Sequence, residues 1–190
     1  MQNKKVQIVA VGHGSMNIFK TIKEKEIDSY ELISICSDEQ ISHFSLADHT
    51  LIIGDDGIGA GGNPAKGRVW AELAKDQIKA LIGDAETLVL YSCLGGGLGT
   101  GALPVVARIA KEMGINTHVI VTLPFIFEGH KRSFRAIMGV EETKEFFEDI
   151  TVINNDDLLN KLEQPTSLRE AFRIIDEMVI KKIKEVVWEL

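Results

Sequence analysis

The chain has no excess of positive charge. Across 190 residues, 28 Asp and Glu outweigh 21 Lys and Arg, leaving a formal net charge of −7. Nucleic-acid binders carry a basic patch or a high isoelectric point, so no nucleic-acid partner is expected. A nucleotide is not excluded, because backbone N–H groups hold phosphates without basic side chains. No apolar run approaches the ~18 residues needed to cross a bilayer, so no membrane span is expected. Cysteine is scarce. Cys36 and Cys93 each sit in or beside an apolar run, without disulfide or metal-ligand spacing. They read as reduced, buried thiols in a cytoplasmic protein, and no metal site is assigned. The apolar stretch near the N-terminus ends in glycines and a histidine rather than a small-residue cleavage site, so it reads as a first strand. Two common phosphate signatures are missing. No G-x-x-x-x-G-K-S/T occurs, and Asn17 stands where the third glycine of G-x-G-x-x-G would follow Gly12 and Gly14.

What is present is an alternation of apolar runs and helical patterns, without an evident repeat or linker. Hydrophobic residues make up 45% and charged residues 26%, the profile of one soluble globular domain over residues 1–190. Strands are expected at Val6–Val11, Glu31–Ser37, Thr50–Ile53, Thr87–Cys93, Thr117–Leu123 and Ile150–Asn154. They are apolar on both parities, as strands covered on both faces are. Helices are expected at Ser15–Lys25, Pro64–Leu81, Gly101–Met113 and Lys131–Phe147. This order predicts an α/β fold with a mostly parallel sheet between two helical layers. Ser167 and Glu170, just after Pro165, form a capping box. Leu168, Phe172, Ile175, Val179, Ile183, Val186 and Leu190 then recur at helical spacing. Ile180, Val187 and Trp188 fall off that stripe, which predicts a covering partner or a further domain along the last helix.

Three glycine clusters follow strands. They are Gly12-His13-Gly14-Ser15, residues 57–64 (GIGAGGNP) and residues 94–101 (LGGGLGTG). Ligands of open α/β sheets sit at the carboxyl ends of the strands, so all three clusters can face one site. Glycine admits close backbone approach, and the third cluster leads into a helix whose N-terminal N–H groups can receive an anion. Taken alone, Gly12-x-Gly14 is also compatible with an ordinary turn. Five glycines in seven residues of the third cluster are harder to explain that way.

The third cluster and its helix, LGGGLGTGALPVVARIAKEMG at 94–114, resemble the signature loop GGGTGTG of the tubulin/FtsZ family. GIGAGGNPAKG at 57–67 resembles a second FtsZ phosphate loop. VTLPFIFEGHKR at 121–132 is similar to VTKPF-x-FEG-x-KR, while INND at 153–156 and SLREAFRIIDEMV at 167–179 resemble later blocks. The order is kept over essentially the whole chain. The resemblance implies a six-stranded, Rossmann-like, three-layer GTP-binding domain ending in the long central helix of that fold.

Carried over residue by residue, the resemblance implies phosphate contacts at Gly95, Gly96, Gly97, Gly99 and Thr100, the last with its hydroxyl available. It places Gly59, Ala60 and Gly61 over the γ-phosphate and Gly12, Gly14 and Ser15 near the phosphates, with Asn17 reaching toward the base. Ribose contacts fall on Glu128 and Arg132, which spacing alone would read as a solvated ion pair. The base falls to Asn155, Phe172 and Asp176. Phe172 alone would read as a core aromatic, and Asp176 as a solvated edge residue. Together they offer a stacking ring and a carboxylate that can accept from guanine N1–H and its exocyclic amine. The implied ligand is GTP or GDP, with Mg2+ as an optional companion. A valine at Gly97 is expected to block the nucleotide while sparing the fold.

Departures bear on affinity and magnesium handling. Leu98 replaces a signature threonine, His13, Ser15 and Met16 interrupt a glycine-rich first loop, and Leu123 replaces a lysine. In FtsZ an acidic loop beyond the central helix completes the active site of the next subunit. The sequence stops at Leu190, before that loop would begin. Little or no hydrolysis by this stretch alone is therefore expected, and no catalytic residue is assigned. The alternative is a regulatory guanine-nucleotide module that docks on a filament or another protein without turnover. Asp55 and Asp56 are read as bordering the pocket or facing solvent.

Overall fold

The structure, a computed structural model, describes residues 5–25, 30–42, 45–54, 57, 59–159 and 167–188. Its strands are β1 (Val6–Val11), β2 (Glu31–Cys36), β3 (His49–Ile52), β4 (Thr87–Cys93), β5 (Asn116–Leu123) and β6 (Ile150–Asn154). The helices are α1 (Ile18–Glu24), α2 (Glu39–Ser42), α3 (Pro64–Leu73), α4 (Lys75–Ile82), α5 (Leu98–Glu112), α6 (His130–Lys144), α7 (Asn155–Leu159) and α8 (Leu168–Trp188). The strands form one six-stranded sheet in the order β3-β2-β1-β4-β5-β6. Every pairing is parallel.

Both faces of the sheet are covered, as the doubly apolar strands require. Val9, Ile33, Leu88, Leu90 and Val121 join Trp70, Ile78, Leu103 and Val106 of α3, α4 and α5 on one side. Ile8, Leu32, Val89 and Ile120 join Phe19 and Ile22 of α1 and Ile175, Val179 and Ile183 of α8 on the other. The expected strands therefore lie within one residue of the observed ones.

The helices depart from expectation at several ends: α1 begins at Ile18 rather than Ser15, and α6 ends at Lys144 rather than Phe147. The segment expected as one helix from Pro64 bends at Ala74 (φ −91°, ψ 12°) and continues as α4. No glycine or proline marks this bend. It keeps Trp70 and Ala71 before it, and Ile78 and Ile82 after it, on the same core. The third helix starts at Leu98 rather than Gly101, inside the glycine cluster. Glycine lowers helix propensity, but packing overrides that here. A Cβ at Gly101 would lie 1.9 Å from Pro64 O, and one at Gly67 2.6 Å from Gly97 O. These glycines let α3 and α5 touch backbone to backbone.

The last helix, α8, begins as the sequence suggests. Its cap is present, with Glu170 N donating to Ser167 Oγ at 3.2 Å; Pro165 lies outside the described residues. Ile180 is buried and Val187 packs against the same core. Contacts within the chain account for the place of these two residues off the main stripe. The side chain of Trp188 and residue Leu190 lie outside the described residues.

Candidate functional site

The sheet order places β1 between β2 and β4, so successive connections leave in opposite directions from this point. That reversal opens a crevice beyond the carboxyl ends of the strands, the usual ligand position in such sheets. Here the crevice is a cleft in two parts, of about 200 Å³ and about 240 Å³. The parts share Gly14, Cys93 and Arg132 in their walls. Each alone is small for an organic ligand. A separate apolar groove of about 680 Å³, lined by Val69, Phe134 and Met138, runs between α3 and α6. Its wall includes Thr100, Asn63 and Pro64, so it backs onto the second and third glycine clusters from outside the cleft.

The first part is lined by Asn17, Tyr91, Glu128, Asn155, Phe172, Ile175 and Asp176, among others. Phe172 and Asp176 lie one turn apart on α8, so both reach the same cleft. The Phe172 ring meets Phe125 edge-on at 5.5 Å, and Phe125 is fully buried. Phe172 itself stays 43% exposed, leaving ring surface for something to stack on. Asn155 is only 5% exposed, yet its Oδ1 has no hydrogen-bond partner. Burial lifts the Asp176 carboxyl from its ordinary 3.8 to about 6. Buried polar atoms are normally satisfied, so an orphan amide oxygen beside a desolvated carboxyl marks a place built for a ligand with donors.

Glu128 and Arg132 stand between the two parts. Glu128 Oε1 accepts from Phe125 N at 2.9 Å, while Oε2 lies 3.1 Å from Arg132 Nη1. The ion pair expected from spacing is present, and both side chains also line the cleft. Burial pushes the Tyr91 hydroxyl and the Cys93 thiol upward. Cys93 is therefore a protonated wall of the cleft rather than a nucleophile.

The second part is lined by Gly12, His13, Gly14, Ser37, Asp38, Gly59, Ala60, Gly61, Gly62, Gly96, Gly97, Leu98, Gly99 and Arg132. It brings all three glycine clusters together. Their mutual fit is close. A Cβ at Gly12 would stand 2.8 Å from Gly99 N, and Gly12 itself sits at φ 87°. The loops meet backbone to backbone, with the N-terminus of α5 in the wall.

Three expected contact residues line neither part and instead hold the loops. Ser15 is fully buried; its Oγ donates to Val11 O at 2.9 Å and accepts from Cys93 N at 2.9 Å. Thr100 Oγ1 accepts from Gly95 N at 2.8 Å, so this hydroxyl is engaged within the loop. Gly95 backs onto Arg132 Cγ, 2.6 Å from where its Cβ would be. Gly97 also differs from expectation. Its φ is −78°, and a Cβ there would meet Asn63 N at 2.7 Å and Ala60 Cβ at 2.8 Å. A valine at Gly97 would strike the fold first. Gly96, by contrast, lines the second part with nothing within 4 Å of its would-be Cβ.

Sequence reasoning missed Ser37 and Asp38, which follow β2 at the same sheet end. No glycine marks that loop; its position after a strand was the available signal. It also missed Tyr91, Cys93 and Thr122, polar groups at the carboxyl ends of β4 and β5. Asp55 and Asp56 lie outside the described residues.

Comparison with known proteins decides the ancestry. A family model described as the Tubulin/FtsZ family, GTPase domain, matches residues 5–163. The chain belongs to the Tubulin/FtsZ family. A cell division protein FtsZ of Buchnera aphidicola subsp. Baizongia pistaciae is 36% identical over 180 residues, 93% of this chain and 47% of the relative. The empty FtsZ dimer of M. jannaschii superimposes with a TM-score of 0.88 at 35% identity, covering 97% of this chain and 54% of that one. The GTPγS-bound protofilament of CetZ2 from Haloferax volcanii reaches 0.82 at 19% identity, over 96% of this chain and 57% of that one. That last likeness supports the fold alone. The chain spans about half the length of these Tubulin/FtsZ relatives.

Proposed function

We propose that this chain is a cytoplasmic guanine-nucleotide-binding domain of the cell-division type, holding GTP or GDP along the two-part cleft. The base lies in the first part and the phosphates in the second, with Glu128 and Arg132 beside the ribose. One observation carries the base assignment: Asn155 Oδ1 is buried at the cleft without a hydrogen-bond partner, and the desolvated Asp176 carboxyl lines the same part. Guanine N1–H and its amine are a donor pair for a carboxylate, and adenine has no such pair. Mg2+ keeps most of its waters and is held by phosphates with one or two carboxylates. Asp38 is the carboxylate that lines the phosphate part among the described residues. Mass spectrometry of ligand released from the purified protein tests the proposal. GDP or GTP is expected; an adenine nucleotide or another phosphorylated ligand would replace it with an α/β enzyme that reused the glycine loops.

The Asp176 shift carries a pH prediction. In the empty fold, a carboxyl raised by burial contributes stability in full below about pH 3.8, and loses it as pH rises through about 6. Guanine binding runs the other way, because only the carboxylate accepts both donors. The Kd for GDP is expected to rise about tenfold between about pH 7 and about pH 5. Calorimetric titration measures it. A flat profile would detach Asp176 from the base.

Turnover by this stretch alone is expected to be feeble. Phosphoryl transfer needs a group that orients the attacking water. Asp38 Oδ1 already accepts from Gln40 N at 2.9 Å, capping α2. Phosphate release across a protein concentration series checks this. A specific rate that climbs steeply with concentration would mean that copies complete one another's sites.

A further inference from the structure

We propose that His13 is a phosphate-binding side chain, donating an imidazole N–H to a phosphoryl oxygen and raising the affinity gained from each phosphate. The proposal rests on the reading of the second part of the cleft as the phosphate site. Most of that part is backbone, contributed by glycine loops. Its ionisable side chains among the described residues are His13, Asp38, Cys93 and Arg132, and the protonated Cys93 thiol is only a weak donor. Arg132 is already paired with Glu128 at 3.1 Å, and Asp38 carries the wrong sign for a phosphate. His13 is the remaining one that can donate strongly.

Its own state points to a missing acceptor. Nε2 of His13 is shut off from water and has no hydrogen-bond partner. Such a group is costly to leave unmade and calls for an explanation. A half-turn of the ring about Cβ–Cγ exchanges Nε2 with Cε1 within nearly the same outline. The imidazole can thus turn a nitrogen to whichever side holds the acceptor. A phosphoryl oxygen supplies a charged one, which makes the hydrogen bond strong.

The backbone that carries His13 is fixed on both sides. Gly12 N donates to Ile35 O at 2.8 Å, and Ser15 N donates to Gly12 O at 3.2 Å. Ser15 Oγ then ties the turn to β1 and β4. Gly12 also lies against Gly99 at the start of α5. The ring is therefore presented from a braced turn beside the loop that would cradle the phosphates.

Calorimetric titration of guanosine, GDP and GTP into the unmutated chain, His13→Gly and His13→Gln tests this. His13→Gly is expected to weaken GDP and GTP about tenfold or more and leave guanosine unchanged. His13→Gln, which restores a donor, is expected to recover most of the loss. If GDP gains over guanosine in the unmutated chain and the gain is the same in His13→Gly, the role of His13 is overturned while the phosphate site stands. A failure of His13→Gln to recover affinity would overturn the donor role. If guanosine and GDP bind the unmutated chain equally, the phosphate site itself fails, and this proposal with it.

Discussion

Gly96→Val is expected to abolish nucleotide binding while the thermal midpoint of the empty chain stays where it was. Gly96 lines the phosphate part of the cleft, and a Cβ there meets no atom within 4 Å. The branch enters open space, so the fold has nothing to lose. A phosphate that must come within hydrogen-bond reach of this loop has that space taken instead. The expected loss is roughly a hundredfold or more, since several charge-assisted contacts to backbone N–H groups are displaced together. Gly97→Val is the informative contrast. Its Cβ would fall 2.7 Å from Asn63 N, so this variant is expected to lose stability whether or not nucleotide is present. Titration and thermal melts of both variants separate the two effects. Unchanged GDP affinity in a folded Gly96→Val chain would refute the cradle.

Asp176→Ala is expected to weaken GDP binding by about 1–3 kcal/mol, the range for losing hydrogen bonds to a charged group. It should leave the empty fold as stable or slightly more so above about pH 6, because a desolvated carboxylate is removed there. Asp176→Asn sharpens the test. Its amide offers one acceptor and one donor, which mismatches guanine at its exocyclic amine. Xanthine keeps N1–H and places a carbonyl where guanine has the amine, so the variant is expected to shift preference toward xanthosine diphosphate. Competition between GDP and xanthosine diphosphate for the two proteins reads that shift. No change in their relative affinities would mean that Asp176 does not read the base.

The sheet was legible because its strands are short and apolar on both parities. Val6–Val11 and Thr87–Cys93 stand at the centre, and both were read at their observed bounds. Helix ends were less legible. The bend at Ala74 serves a core shared with distant strands, and the start of α5 at Leu98 is set by the crossing of α3. Local propensity carries neither fact.

The candidate site was legible as a set of loops but not atom by atom. The sequence reads Gly95, Gly96, Gly97 and Gly99 alike as phosphate contacts. In the fold, Gly95, Gly97, Gly99 and Gly101 are crowded by other parts of the chain, and Gly96 is open. Those contacts join residues far apart in sequence, such as Gly99 with Val11 and Gly101 with Pro64. Ser15 and Thr100, expected near the phosphates, have their hydroxyls engaged in holding the loops. Phe172 and Asp176 share one side of α8, as helical spacing requires, and both line the cleft.

Everything proposed for the base end of the cleft depends on its selecting guanine. Calorimetric titration of GDP and of ADP into the same preparation, freed of bound ligand, tests it most directly. GDP is expected to bind at least ~100-fold more tightly, since a buried acceptor rejects a base that leaves it unpaired. Equal affinity for the two nucleotides would contradict it.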